Sequence, residues 1–201
     1  MFSLYFKQDD TVEIDGKTYD LNISFDNVLK IIELMKEERI ANDKKVEMAI
    51  RLFFKFEKDE VIPFDFETQY NAFLSIFEEY VKQEEKTQEY DIKGNPMPVY
   101  TKDKERFYSL EHDAEYIYSS FMHAYGIDLI EQQGKLHWFK FQALLSGLPK
   151  DTKFCEIVSI RQWKKPNKND TEAKQMAKLK DYYKLPDDQT ARKEVTWQME
   201  K

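Results

Sequence analysis

Cysteine occurs once in this 201-residue chain, at Cys155. An intrachain disulfide is thereby excluded, as is a zinc site built on cysteine pairs, and a reducing compartment is expected. Glycine (5) and proline (6) are scarce. That is too few for the turn needed roughly every ten residues in an all-β sandwich, so helices should dominate. No stretch reaches the roughly 20 consecutive apolar residues of a membrane span. The opening MFSLYFKQDD has neither the basic region nor the apolar run of a secretory signal. The expectation is a soluble cytoplasmic protein without a membrane partner.

Reaction motifs are missing as well. No GxGxxG, GxxxxGK[ST] or GxSxG occurs, so neither a phosphate cradle nor a nucleophile elbow is written into the chain. HxxxH, HExxH and EF-hand patterns are also absent. Of the three histidines, His112 and His123 are eleven residues apart, about 16 Å along a helix axis, too far to share a metal ion. The third, His137, lies in GKLHWFKFQALLSGLP. Read as a helix, this segment sets His137 on one narrow polar edge with Gln133 and Lys140, among residues that are otherwise apolar. Nothing in its spacing supplies an orienting carboxylate or a nucleophile. The expectation is a protein that is not an enzyme, with no catalytic, cofactor-binding or metal-binding residues.

What is present is ample core material and a mildly acidic surface. Hydrophobic residues make up 41% and aromatics 15%, while 38 acidic against 31 basic residues leave a net charge of -7. That balance argues against a general nucleic-acid binder. One segment reverses it: Arg161 to Lys184 carries eight basic and three acidic residues. A solvated helix face is the first reading of that run, an acidic protein partner the second and nucleic acid the third.

Along the chain, Asp15-Gly16 between two short alternating runs predicts a β-hairpin. Ser24 is placed to cap a helix with Phe25, Val28, Leu29, Ile32 and Met35 on one face, stapled by Ile23 against Val28. Asp43 would cap a second helix carrying Val46, Ala49, Ile50 and Phe53. Asp65 would cap a third, with Phe66, Tyr70, Phe73, Phe77 and Val81 in register. Residues 84–106 form a polar connector, with either a second hairpin pairing 90–92 with 98–100 or a flexible linker. Ser109 opens the next helix, which Gly126 stops. Further helices are expected over LHWFKFQALL and TKFCEIVSIRQW. The predicted architecture is mainly α: one helical domain over 1–165, followed by a peripheral helix and a flexible tail over 166–201.

The blocks NISFDNVL, YDIKGNPMP, DAEYIYSSFMHAYGIDLIEQQGKLHWFKFQALLSGLPKDTKF and IRQW resemble a family of tailed phages and prophages of Gram-positive bacteria, known by the label gene product fifteen. The likeness extends to about Pro186. Genes of that family typically precede the tape-measure gene, a position usually held by tail assembly chaperones. The resemblance therefore implies a non-enzymatic assembly factor in the host bacterial cytoplasm. Its implied partners are the tape-measure protein, the major tail tube protein and further copies of itself. The alternative is a structural tail component retained in the virion. No catalytic residues come with the family. Tyr80, Tyr116, Tyr118, Trp138 and Trp163 are the candidate exposed anchors, because aromatics concentrate at interface hot spots.

Overall fold

The computed structural model describes residues 5, 10–57, 59–81, 107–164 and 171–186. Strands β1 (Thr11–Ile14) and β2 (Lys17–Asp20) pair antiparallel, with Ile14 opposite Lys17. The two residues between them have φ of 50° at Asp15 and 74° at Gly16. Two successive positive values are what a tight hairpin turn with native twist demands.

Helix α1 (Phe25–Lys36) follows, with Ser24 at its N-cap position. The Ser24 hydroxyl does not cap the helix; it donates to Asn22 Oδ1 at 2.9 Å. The backbone beside it pairs with a distant segment instead: Phe25 N donates to the Leu136 carbonyl at 2.9 Å, and Trp138 N donates to the Ile23 carbonyl at 2.8 Å. The buried face of α1 runs through Val28, Ile31 and Met35, with Leu29 and Ile32 half-buried. Ile23 and Val28, the expected staple pair, are both buried.

Helix α2 (Asn42–Phe54) buries Val46, Ala49, Ile50 and Phe53 as their spacing predicts. Its N-cap is Ala41 rather than Asp43. Asp43 lies in the first turn, where its charge still favours the positive end of the helix dipole. Lys45 is buried, and its Nζ donates to the Met35 carbonyl at 3.0 Å, so it closes the C-terminal end of α1.

Helix α3 (Phe66–Ile76) is capped as expected, Asp65 accepting from Thr68 N at 2.8 Å, and continues as a π-helical turn over Phe77–Val81. Its core face overlaps the aromatic stripe in part: Phe73 is buried, and Tyr70, Phe77 and Val81 are half-buried against the core. Ala72, Phe73, Ile76 and Tyr80 are buried, whereas Phe66 is 52% exposed. The most buried side is turned from that stripe toward Ala72, Ile76 and Tyr80, with Phe73 common to both.

Helix α4 (Ala114–Tyr125) starts later than Ser109, because Asp113 turns its carboxylate inward to accept from Ser109 N and from Arg161. It ends at Gly126, with φ of 63°. There Gly126 N and Ile127 N return to the Met122 and Phe121 carbonyls, the closed exit that a left-handed residue permits. Helices α5 (Trp138–Ser146), α6 (Lys153–Gln162) and α7 (Thr171–Tyr182) complete the set.

Packing runs α3 on α2, α2 on α1, α1 on α5, and then α4 on α6 and α6 on α7. The Phe141 ring of α5 joins the two groups, stacking at 5.0 Å on Phe25, 5.5 Å on Phe121 and 5.6 Å on Trp138. One hydrophobic cluster therefore extends from Ile14 to Phe154, while Ile157, Ile160 and Ala173 are buried beyond it under α7. The fold is mainly α with an N-terminal hairpin, as expected. The second hairpin near 90–100, the boundary at 165/166 and the tail from residue 187 lie outside the described residues.

Candidate functional site

His137 stands before α5, at its N-cap, and not within a helix beside Gln133 and Lys140. Its Nδ1 accepts from Phe139 N at 3.1 Å, so the proton lies on Nε2, which donates to Asp10 Oδ1 at 3.0 Å. A carboxylate does orient this histidine, from 127 residues away, where no local spacing could have revealed it. Both ring nitrogens are engaged, one in capping a helix and one in tying the hairpin approach to α5. Among the described residues, no three or more His, Cys, Asp or Glu side chains are grouped to hold a metal ion. Cys155 is half-buried, with Sγ 3.6 Å from the Leu148 carbonyl.

The five candidate aromatics separate into two kinds. Tyr80 and Trp138 are only 4% and 3% exposed, so they are core residues and not surface anchors. Tyr80 stacks on Phe139 at 5.6 Å. Its phenol is pushed up to about 12 by burial, with the Glu79 and Asp10 carboxylates adding to the shift. The other three reach the surface. Tyr118 donates to Asp128 Oδ2 at 3.1 Å, and that bond holds its phenol above the usual value. Tyr116 meets Tyr183 edge-on at 6.2 Å. Trp163 caps the C-terminal end of α6, and its carbonyl accepts from Lys180 Nζ at 2.8 Å.

Tyr116 and Trp163 thus both meet the C-terminal end of α7, although 47 positions separate them in the chain. Two further contacts hold that end. Arg161 Nε donates to the Tyr183 carbonyl at 2.6 Å, and Lys153 Nζ lies 5.3 Å from the Tyr183 ring centre. Between α6 and α7 a groove of about 390 Å³ opens, lined by Ile160, Trp163, Met176 and Leu179, with Lys150, Glu156 and Ser159 on its rim. Leu179 is 42% exposed there. Met176 and Leu179 lie three residues apart on α7, where only Ala173 is fully buried. Neither residue was among the candidates from the sequence; an apolar stripe too narrow to form a core is the signal that could have found them.

The basic run from Arg161 to Lys184 is not one uniform face. Arg161 is buried and forks onto Asp113, Nη1 to Oδ2 at 2.6 Å and Nη2 to Oδ1 at 2.8 Å. Lys180 is tied to Trp163, while Lys174 and Lys178 are exposed on the outer side of α7. On the opposite group of helices a second groove, of about 450 Å³, runs along α2 beneath the loop that leads to α3. Val61 and Phe66, 86% and 52% exposed, form its apolar lining together with Ile62.

The family model described as bacteriophage Gp15 protein matches residues 8–185. The chain belongs to that family. The match covers every described helix of this Gp15-family protein, α7 and its groove included. No curated protein and no solved structure matches it. No described helix is long and apolar enough to cross a membrane.

Proposed function

We propose that this phage protein is a non-enzymatic tail assembly factor, a chaperone that binds the tape-measure protein, tail tube subunits or both in the host cytoplasm. The observation that carries the reading is the apolar groove between α6 and α7, with Trp163 and Met176 in its wall and Leu179 at its lip. Its volume of about 390 Å³ suits one or two large apolar side chains of a partner helix laid along it. A tape measure is a long helical chain whose apolar side chains need cover until the tube encloses it. A soluble acidic body with an aromatic-lined groove is suited to that task, because the net charge of -7 keeps the loaded complex from aggregating.

Co-expression with the tape-measure protein of the same phage tests the reading. Soluble tape measure should rise, and the two proteins should co-elute from a sizing column. Leu179→Glu alters only the lip of the groove and should abolish both effects while leaving the helical circular dichroism unchanged. A tape measure that stays insoluble, with no complex to the tape measure or to the tube subunit, would refute the chaperone. The second reading, a structural component retained in the tail, predicts this chain in purified virions at a fixed ratio to the tube protein.

A further inference from the structure

Two surfaces at opposite ends of the helix order complement each other in charge and spacing. The outer ridge of α7 carries Lys174, Lys178 and Tyr182 at four-residue steps, all exposed, with Tyr182 at 78%. Residues four apart on a helix stand about 6 Å from one another on one face. Neither lysine forms a salt bridge among the described residues; Glu172 lies away from the ridge, and Asp181, three residues after Lys178, borders it on the same face, so the ridge keeps a net positive charge of one. Tyr182 adds an exposed ring at the end of this basic row, edge-on to Tyr183 at 4.9 Å.

The groove along α2 is the matching surface. Four carboxylates line it, Asp43, Glu47, Asp59 and Glu60, against two cations, Lys44 and Arg51. Arg51 is already spent within the fold: it donates to the Glu57 and Glu60 carbonyls, both at 2.8 Å, and lies 3.4 Å from Glu47. Lys44 pairs with Glu47 at 2.9 Å. Asp43 and Asp59 form no salt bridge among the described residues, so the rim keeps negative charge to offer. Asp43 and Glu47 are four apart, the same step as Lys174 and Lys178. Val61 and Phe66 lie in the same groove and offer apolar contact for a ring such as that of Tyr182.

We propose that the chain associates with itself head to tail, the α7 ridge of one copy docking in the α2 groove of the next. The contact is heterologous, so each bound copy keeps one ridge or one groove free, and assembly continues until a ring closes or a filament grows. Because its contacts are charged and exposed, the association weakens as salt screens them. It uses neither Trp163 nor Leu179, so it stands or falls separately from the chaperone reading.

Sedimentation velocity of the full chain, over a concentration series at low and at high salt, provides the test. The weight-average sedimentation coefficient should climb with concentration at low salt and fall back at high salt. Asp43→Lys with Asp59→Lys removes the groove, and Lys174→Glu with Lys178→Glu removes the ridge. Each pair should weaken association by at least about tenfold, since like charges are then opposed. Mixing the two variants is the decisive step: the intact ridge of one docks in the intact groove of the other, and the exchanged ridge and exchanged groove oppose unlike charges in turn, so the mixture regains the association that each variant alone has lost. Combining all four changes in one chain should restore growth, with the charges exchanged. A wild-type chain that stays monomeric at every concentration overturns the proposal, as does association that survives both variant pairs or a mixture that remains monomeric. In the first case the groove is left to a basic helix of some other protein.

Discussion

Replacing Arg161 with methionine strands a carboxylate inside the protein. Asp113 is 0% exposed and is held by both outer nitrogens of the guanidinium, at 2.6 and 2.8 Å. Without them it keeps one described donor, Ser109 N at 2.9 Å. Breaking one partner of a buried ion pair costs about 3–5 kcal/mol, because the remaining charge is neither solvated nor paired. Against a total stability of roughly 5–15 kcal/mol this is a large loss, and at about 2–4 °C per kcal/mol it lowers Tm by roughly 6–20 °C. Arg161 also donates to the Tyr183 and Phe107 carbonyls, at 2.6 and 3.1 Å, so amides of α7 should exchange faster as well. The double variant Arg161→Met with Asp113→Leu separates the causes: with no stranded charge, it loses only neutral partners, at about 1 kcal/mol each, and should melt above the single variant. Thermal melts followed by circular dichroism, with hydrogen exchange read over 171–183, give both quantities. A single variant within about 1 kcal/mol of wild type, or a double variant less stable than the single, would refute the reasoning.

Three further outcomes are expected. Burial alone would raise the Asp26 carboxyl, but the hydrogen bond from Gly134 N at 2.8 Å and the Lys30 ammonium at 3.2 Å hold it below the usual carboxylate value. Its contribution is therefore present above the unfolded value near ~3.9 and lost as pH falls through the folded one, so Asp26→Asn should destabilise at pH 7 and converge with wild type in urea melts at low pH. Tyr80 is shifted the other way, up to about 12. Its contribution is complete below the unfolded value near ~10 and lost as pH rises toward the folded one, so Tyr80→Phe should show a flatter alkaline fall in unfolding free energy than wild type. A Cβ at Gly126 meets nothing within 4 Å, yet φ is +63°. Gly126→Ala should therefore cost about 1–2 kcal/mol through strain alone, read as a lower Tm with an unchanged fold.

Several elements were legible because their causes are local. Asp15-Gly16 needs positive φ, Asp65 reaches its own Thr68 N, Gly126 ends α4, and Val46, Ala49, Ile50 and Phe53 repeat at helical spacing. Each is decided within a few residues. The misplaced features were settled across the chain. Ser24 does not cap α1 because the backbone there pairs with His137, and α4 starts late because Arg161 claims Asp113. The candidate surface was not legible in the same way: Met176 and Leu179 were not singled out, and Tyr80 and Trp138 could not be sorted from Trp163 by sequence.

Composition and short-range spacing, by themselves, determined a mainly helical protein with an N-terminal hairpin, and the residue blocks determined its family. Only the tertiary structure decided which aromatics remain at the surface, that His137 is consumed by Asp10 and Phe139, and that the basic run splits into a buried latch and an exposed ridge. The physical reason is range. A cap or a tight turn is a contest among neighbours, while burial of a ring or a charge depends on which distant face arrives to cover it.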